Sequence, residues 1–147
     1  NHKFVFRGTI DRVDHFKDGA LIFDYKSSRT QVSNFSTWMA NDQLQLLFYD
    51  WGLNQESMGA LFYVLKDLKK DKGFLRESAD AVPEEISSKA MIDDEALENL
   101  RFEFRERLQM VVDILEGKNW SAIPKDRKSC VKCSWKKTCR ATHLVKI

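Results

Sequence analysis

Gly8-Thr9-Ile10-Asp11-Arg12-Val13-Asp14, then Lys17-Asp18-Gly19, then Ala20-Leu21-Ile22-Phe23-Asp24-Tyr25-Lys26 is the stretch whose reading decides the fold. An Asp-Gly pair between two apolar, alternating runs is a strong hairpin signal. With Asp18 and Gly19 as the two loop residues, Asp11 lies opposite Lys26 and Val13 opposite Asp24. Directly opposed residues share a face, as do residues two apart on one strand. Asp11, Asp24 and Lys26 therefore converge, while Asp14 and Tyr25 point the other way. A slip of one residue would put Asp11 on the wrong face. Two carboxylates and a lysine held on a rigid sheet suit a divalent cation beside a phosphate.

The first run alternates over residues 3–11, with Phe4, Phe6 and Ile10 on one side, and is expected to be a strand. Gly8 inside it marks a bulge or a close backbone approach. The second run, residues 20–26, is apolar at consecutive positions and reads as a central strand buried on both faces. Asp24 and Lys26 are costly there unless paired or metal-bound.

Beyond the hairpin, residues 27–40 read as a polar connector. Asn41 is a fair N-cap for a helix whose apolar stripe is Leu44, Leu47, Phe48 and Trp51. Gln45 and Tyr49 are four apart and share another stripe of that helix. By themselves they read as a helix flank. Residues 58–68 are expected to form a third strand, 69–74 a charged turn around Gly73 with a shorter strand after it, and 77–93 a long connector containing Pro83. The clearest helix runs over residues 94–116, with Leu97, Leu100, Phe104, Leu108, Val111 and Leu115 at helical spacing and Gly117 placed to stop it. It is expected to pack on the sheet as scaffold. The fold class is α/β, a mixed central sheet flanked by helices. Residues 1–124 form the core, and residues 125–147 a basic, cysteine-rich segment packed on the same domain.

The chain has 147 residues, 43% hydrophobic and 31% charged, the composition of an ordinary globular domain. It contains no apolar run that would span a bilayer and no recognisable secretory signal. A net charge of +2 neither favours nor excludes nucleic acid, but residues 125–140 gather Lys125, Arg127, Lys128, Lys132, Lys136, Lys137 and Arg140 against Asp126. Such a cluster meets phosphate backbone or is a solvated tail. The cysteines Cys130, Cys133 and Cys139 are odd in number and close in sequence. That argues against a disulfide framework and for a reducing, cytoplasmic setting. With His143 as a fourth ligand they would make a zinc site; otherwise they are reduced thiols. Phe35 and Trp38 can stack on bases, but core is their expected place. The start at Asn1-His2-Lys3 is read as that of a fragment of a larger protein.

Three ordered motifs resemble the RecB-type branch of the PD-(D/E)XK nuclease superfamily: Gly8-Thr9-Ile10-Asp11-Arg12-Val13-Asp14, Asp24-Tyr25-Lys26, and Gln45-Leu46-Leu47-Phe48-Tyr49. They occupy about the first third of the chain. The resemblance implies a restriction-endonuclease-like core and a DNA nuclease using Mg²⁺ or Mn²⁺. Asp11, Asp24 and the carbonyl of Tyr25 would hold the metal. Lys26 would orient the attacking water and stabilise negative charge, and Gln45 and Tyr49 would position Lys26 or the phosphate. Arg12 and Asp14 belong to the motif, but the register above makes Asp14 structural, paired with Arg12 or the sheet edge.

The AddB nucleases and the CRISPR adaptation nucleases of that branch end in a similar cysteine triplet. There it joins an upstream cysteine to hold a [4Fe–4S] cluster. By resemblance Cys130, Cys133 and Cys139 would be three of those ligands, yet no cysteine precedes Cys130 and His2 does not match the family's upstream histidine. The leading expectation is an AddB-like exonuclease domain for DNA repair and recombination, acting on single- or double-stranded DNA ends beside a helicase subunit or domain. The alternatives are a CRISPR adaptation nuclease, a catalytically silent DNA-binding or structural module, and a zinc-binding interaction domain. No base-reading motif is present, so contact with backbone and stacked bases is expected, sequence-independent and salt-sensitive.

Overall fold

The structure, a computed structural model, describes residues 4–79, 86, 88–117, 130, 131 and 133–139. The chain forms two compact units, the first running to Gln109 and the second starting at Met110.

The first unit is built on a five-stranded sheet in sequential order: β1 (Arg12–Phe16), β2 (Gly19–Lys26), β3 (Ser57–Val64), β4 (Lys69–Arg76) and β5 (Met91–Ile92). β2 and β3 are parallel, as are β4 and β5, and the other neighbours are antiparallel. A parallel pair needs a crossover. Here it carries α1 (Trp38–Asn41) and α2 (Gln45–Gly52). The sheet is mixed and helix-flanked, as expected.

One face holds Ile22, Ala60, Phe62 and Phe74 against Trp38, Leu46, Leu47 and residues Leu97, Leu100 and Phe104 of α3 (Asp94–Leu115). The other face packs Leu21, Phe23, Leu61 and Leu75 against Ala90. Both faces of β2 are thus covered, which is why its apolar run is continuous. Asp24 lies on the α2 side.

The hairpin differs from its expected register. Val13 pairs with Ile22 and Phe16 with Gly19, so the loop is Lys17-Asp18 and the pairing is moved by two residues. The cause is Gly19, which has φ +143° and whose Cβ, if present, would lie 2.7 Å from the carbonyl oxygen of Glu56. That close approach, with Ala20 N–H donating to Glu56 at 2.9 Å, pulls Gly19 into the strand. A slip of two keeps every paired side chain on its face, so Asp24 and Lys26 stay on the face expected of them.

Other boundaries also move. Residues 4–10 are not a strand, because alternation supplies no ladder partner. Instead Phe6 lies on α2, its ring 5.8 Å from that of Phe48 and 6.1 Å from that of Trp51. Gly8 is no bulge; it lies against Tyr49. β3 stops at Val64 and the turn falls at residues 65–68, so the charged stretch read as a turn is β4. Gly73 sits inside β4 at φ +127°, pressed so close to Ala60 that a Cβ would lie 2.2 Å from its carbonyl oxygen. The long connector contains β5, held by pairing of Leu75 with Met91 and Arg76 with Ile92.

Asn41 ends α1 rather than starting α2, with Asp42 in the left-handed conformation after it (φ 55°). α2 has Leu44 at its N-cap without a side-chain cap and is anchored instead by buried Leu46 and Leu47. The connector before it is not all solvated. Trp38 is fully buried and Phe35 packs on the core, as expected of them.

α3 fits its expected span closely. Asp93 caps it by accepting the Ala96 N–H at 2.7 Å. Asp94 and Glu95 occupy its first turn, where carboxylates favour the helix dipole. Gly117 follows it at φ +76°. Among the described residues no helix is long and apolar enough to cross a membrane.

Candidate active site

β2 carries two charges out of a buried strand. Asp24 is only 2% exposed. Its Oδ2 lies 2.5 Å from Nζ of Lys26, and its Oδ1 accepts a hydrogen bond from Nε2 of Gln45 at 2.8 Å. Lys26 in turn donates from Nζ to Oε1 of Gln45 at 2.8 Å. The second N–H of Gln45 goes to the hydroxyl oxygen of Tyr49, also at 2.8 Å. One amide therefore spends both donors and its acceptor inside this set. Gln45 can do so because it opens α2, and Tyr49 lies one turn further on the same stripe.

Asp11 stands just before β1. Its Oδ2 accepts the backbone N–H of Tyr25, the residue between Asp24 and Lys26, at 2.9 Å. The ammonium of Lys26 also lies 5.5 Å above the ring of Phe62, which pairs across the sheet with Asp24. The structure thus brings Asp24, Lys26, Gln45 and Tyr49 together in one bonded set, with Asp11 attached to the Tyr25 backbone.

The opposite face takes the rest of the motif. The Tyr25 ring packs 5.5 Å from that of Tyr63, so its side chain is away from the site and only its backbone is near. Arg12 forks onto Asp14 at 2.7 and 2.6 Å and lies 5.1 Å above the Phe23 ring. Donating to the Asp14 carboxylate, with a smaller contribution from Tyr25, raises the Arg12 guanidinium above its ordinary pKa. Asp14 is an ion-pair partner here, as its register implied.

Behind α2 is a pair that sequence reasoning missed. Asp50 is 8% exposed and accepts two hydrogen bonds from Arg101 of α3, both at 2.8 Å. Donating to the Asp50 carboxylate raises the Arg101 pKa despite its partial burial. The only signal was an aspartate inside the apolar run Leu46-Leu47-Phe48-Tyr49-Asp50-Trp51. Its partner is 51 positions away.

One atom bears on metal binding. Oδ2 of Asp24 is buried and takes no hydrogen bond; its contact with Lys26 is charge proximity without a directed bond. A carboxylate oxygen left this way is suited to a cation. Mg²⁺ is commonly held by one or two carboxylates together with waters and phosphate oxygens. The acid pair and a backbone carbonyl fit that chemistry.

The cysteine segment lies only in part among the described residues. Among the described residues no three His, Cys, Asp or Glu side chains are grouped as a metal set. Cys130, Cys133 and Cys139 form no disulfide, and the Cys133 N–H donates to the Cys130 carbonyl at 3.3 Å. His143, His2 and most of the basic cluster lie outside the described residues.

Fold and constellation together define a class, an α/β sheet whose interior strand β2 carries an acid and a lysine, Asp24 and Lys26, with Asp11 bonded to its backbone between them. The chain belongs to the PD-(D/E)XK nuclease superfamily, whose family profile matches residues 2–140. Proteins of that superfamily are generally metal-dependent nucleases. Comparisons with curated proteins and with solved structures gave no match.

Proposed function

We propose that this chain is a Mg²⁺- or Mn²⁺-dependent deoxyribonuclease of the RecB-type, AddB-like branch. In this reading it hydrolyses phosphodiester bonds as an exonuclease at DNA ends, in repair and recombination, beside a helicase subunit or domain. The observation that carries the catalytic part is the buried Asp24 carboxylate, bonded to Gln45 through one oxygen and ion-paired with Lys26 through the other, which takes no directed hydrogen bond. The branch rests on the three ordered motifs. A reducing cytoplasm is where its closely spaced thiols would stay reduced.

Asp11, Asp24 and the Tyr25 carbonyl are the groups that would hold the cation, which supplies charge neutralisation on the phosphate and acidifies a water. Lys26 orients the attacking water and meets the charge that develops on the phosphate oxygens. Gln45 ties Lys26 to Asp24, so neither side chain has to reorganise as that charge appears. Tyr49 receives its hydrogen bond from Gln45 and keeps its own proton to donate to a phosphate oxygen. Binding through backbone and stacked bases makes the activity sequence-tolerant and salt-dependent.

The test is cleavage of end-labelled linear DNA, single- and double-stranded, in Mg²⁺ or Mn²⁺ and in EDTA. Asp24→Ala and Lys26→Ala are each expected to lower the rate roughly 100- to 1,000-fold. A product ladder growing from one end identifies exonuclease action. Cleavage at the native rate by either variant contradicts the assignment.

A further inference from the structure

We infer that the groove between residues 6–10 and α2 seats an unpaired DNA base beside the scissile phosphate, making single-stranded ends the substrate. The inference rests on the nuclease reading above and specifies its substrate. The groove has a volume of about 810 Å³ and is lined by Phe6, Arg7, Phe48 and Trp51 together with Gln45 and Tyr49. That volume falls in the range of small-molecule sites.

Two aromatic rings in its wall are open to solvent, Phe6 at 39% and Trp51 at 50% exposure. They stand edge to face, 6.1 Å apart at 79°. Phe48 backs Phe6 at 5.8 Å and is itself fixed by Phe104 at 4.9 Å. The outer rings are therefore held in place while leaving surface for a third ring, and base–aromatic stacking uses such surface without regard to sequence. Arg7 supplies a cation for the attached phosphate.

Continuity with the catalytic set selects this occupant. Gln45 and Tyr49 line the groove and also bond to Asp24 and to each other. A strand with its base in the groove would thus have its phosphate at the acid–lysine set. A duplex keeps its bases stacked and must unstack one to fill the groove.

The test is binding in EDTA, where no cleavage occurs, followed by tryptophan fluorescence and anisotropy with a labelled single-stranded oligonucleotide and a blunt duplex. Trp51→Ala is expected to weaken single-strand binding about tenfold while changing duplex binding less than twofold. Trp51→Phe should restore most of the affinity. Phe102→Ala, which removes an exposed aromatic ring elsewhere, should change nothing. Should Trp51→Ala melt early, Phe6→Ala carries the same expectation. An abasic nucleotide should cost the native chain affinity and cost Trp51→Ala less. Equal weakening on both DNAs, or none on the single strand, overturns the groove assignment. Because binding is read without metal, that failure leaves the nuclease reading standing, and a missing cleavage activity would not by itself remove the stacking site.

Discussion

Two buried aspartates lie on the same side of the sheet and are treated in opposite ways. Asp50 has both oxygens forked onto Arg101 of α3. Asp24 has one oxygen bonded to Gln45 and the other near an ammonium but without a hydrogen bond. Burying a carboxylate costs several kcal/mol unless its lone pairs are met. Asp50 meets that cost internally and joins two helices. Asp24 leaves part of it open, which is tolerable where a ligand completes the set. Burial alone does not tell scaffold from site; the satisfaction of the buried charge does.

The largest expected effect lies at the satisfied pair. Arg101→Met leaves Asp50 as a lone buried charge and should destabilise the fold by about 3–5 kcal/mol, read from urea unfolding. A change under about 1 kcal/mol would mean that Asp50 finds water or protonates, and the contrast with Asp24 would weaken. At the open site, Gln45→Ala removes the brace between Lys26 and Asp24. It should lower cleavage roughly 10- to 100-fold, the size seen when groups that orient metal ligands are lost, with only a small shift in the urea midpoint. A variant that unfolds instead would make Gln45 structural, like Arg101.

The smallest effect lies at a surface pair and sharpens the contrast by its weakness. The hydrogen bond from Arg76 holds the Asp94 carboxyl below its usual pKa. The folded state therefore binds fewer protons there than the unfolded state. The resulting stability is present above the ordinary carboxylate range, about pH 4, and is lost as pH falls through the lower folded value. Arg76→Gln should lower the melting temperature slightly at pH 7 and leave it little changed at the acid end, so that the decline through about pH 4 is flatter than in the native chain. An unchanged acid slope would remove the pair from the account.

Much of this was legible in the sequence, for physical reasons. Side-chain parity survives an even register error, so the shared face of Asp24 and Lys26 followed from the hairpin although its loop was placed one residue too late and its pairing was off by two. Gln45 and Tyr49 followed from helical spacing together with family motif order. What depended on distant partners was not legible. The alternation of residues 4–10 resembles a strand, but α2 takes Phe6 instead. The charges of β4 resemble a turn until pairing with β3 supplies a ladder. Trp51 read as core because its stripe position is apolar, yet it is half exposed. Asp50 and Arg101 carry no local sign of each other.

The most direct measurement is cleavage of linear DNA in Mn²⁺ by the native chain and by Asp24→Asn, with the melting temperatures of both and of Arg101→Met recorded in parallel. The account predicts that Asp24→Asn loses cleavage by 100-fold or more while melting closer to the native protein than Arg101→Met does. Native-level cleavage by Asp24→Asn, or a loss of fold as large as that of Arg101→Met, would contradict it.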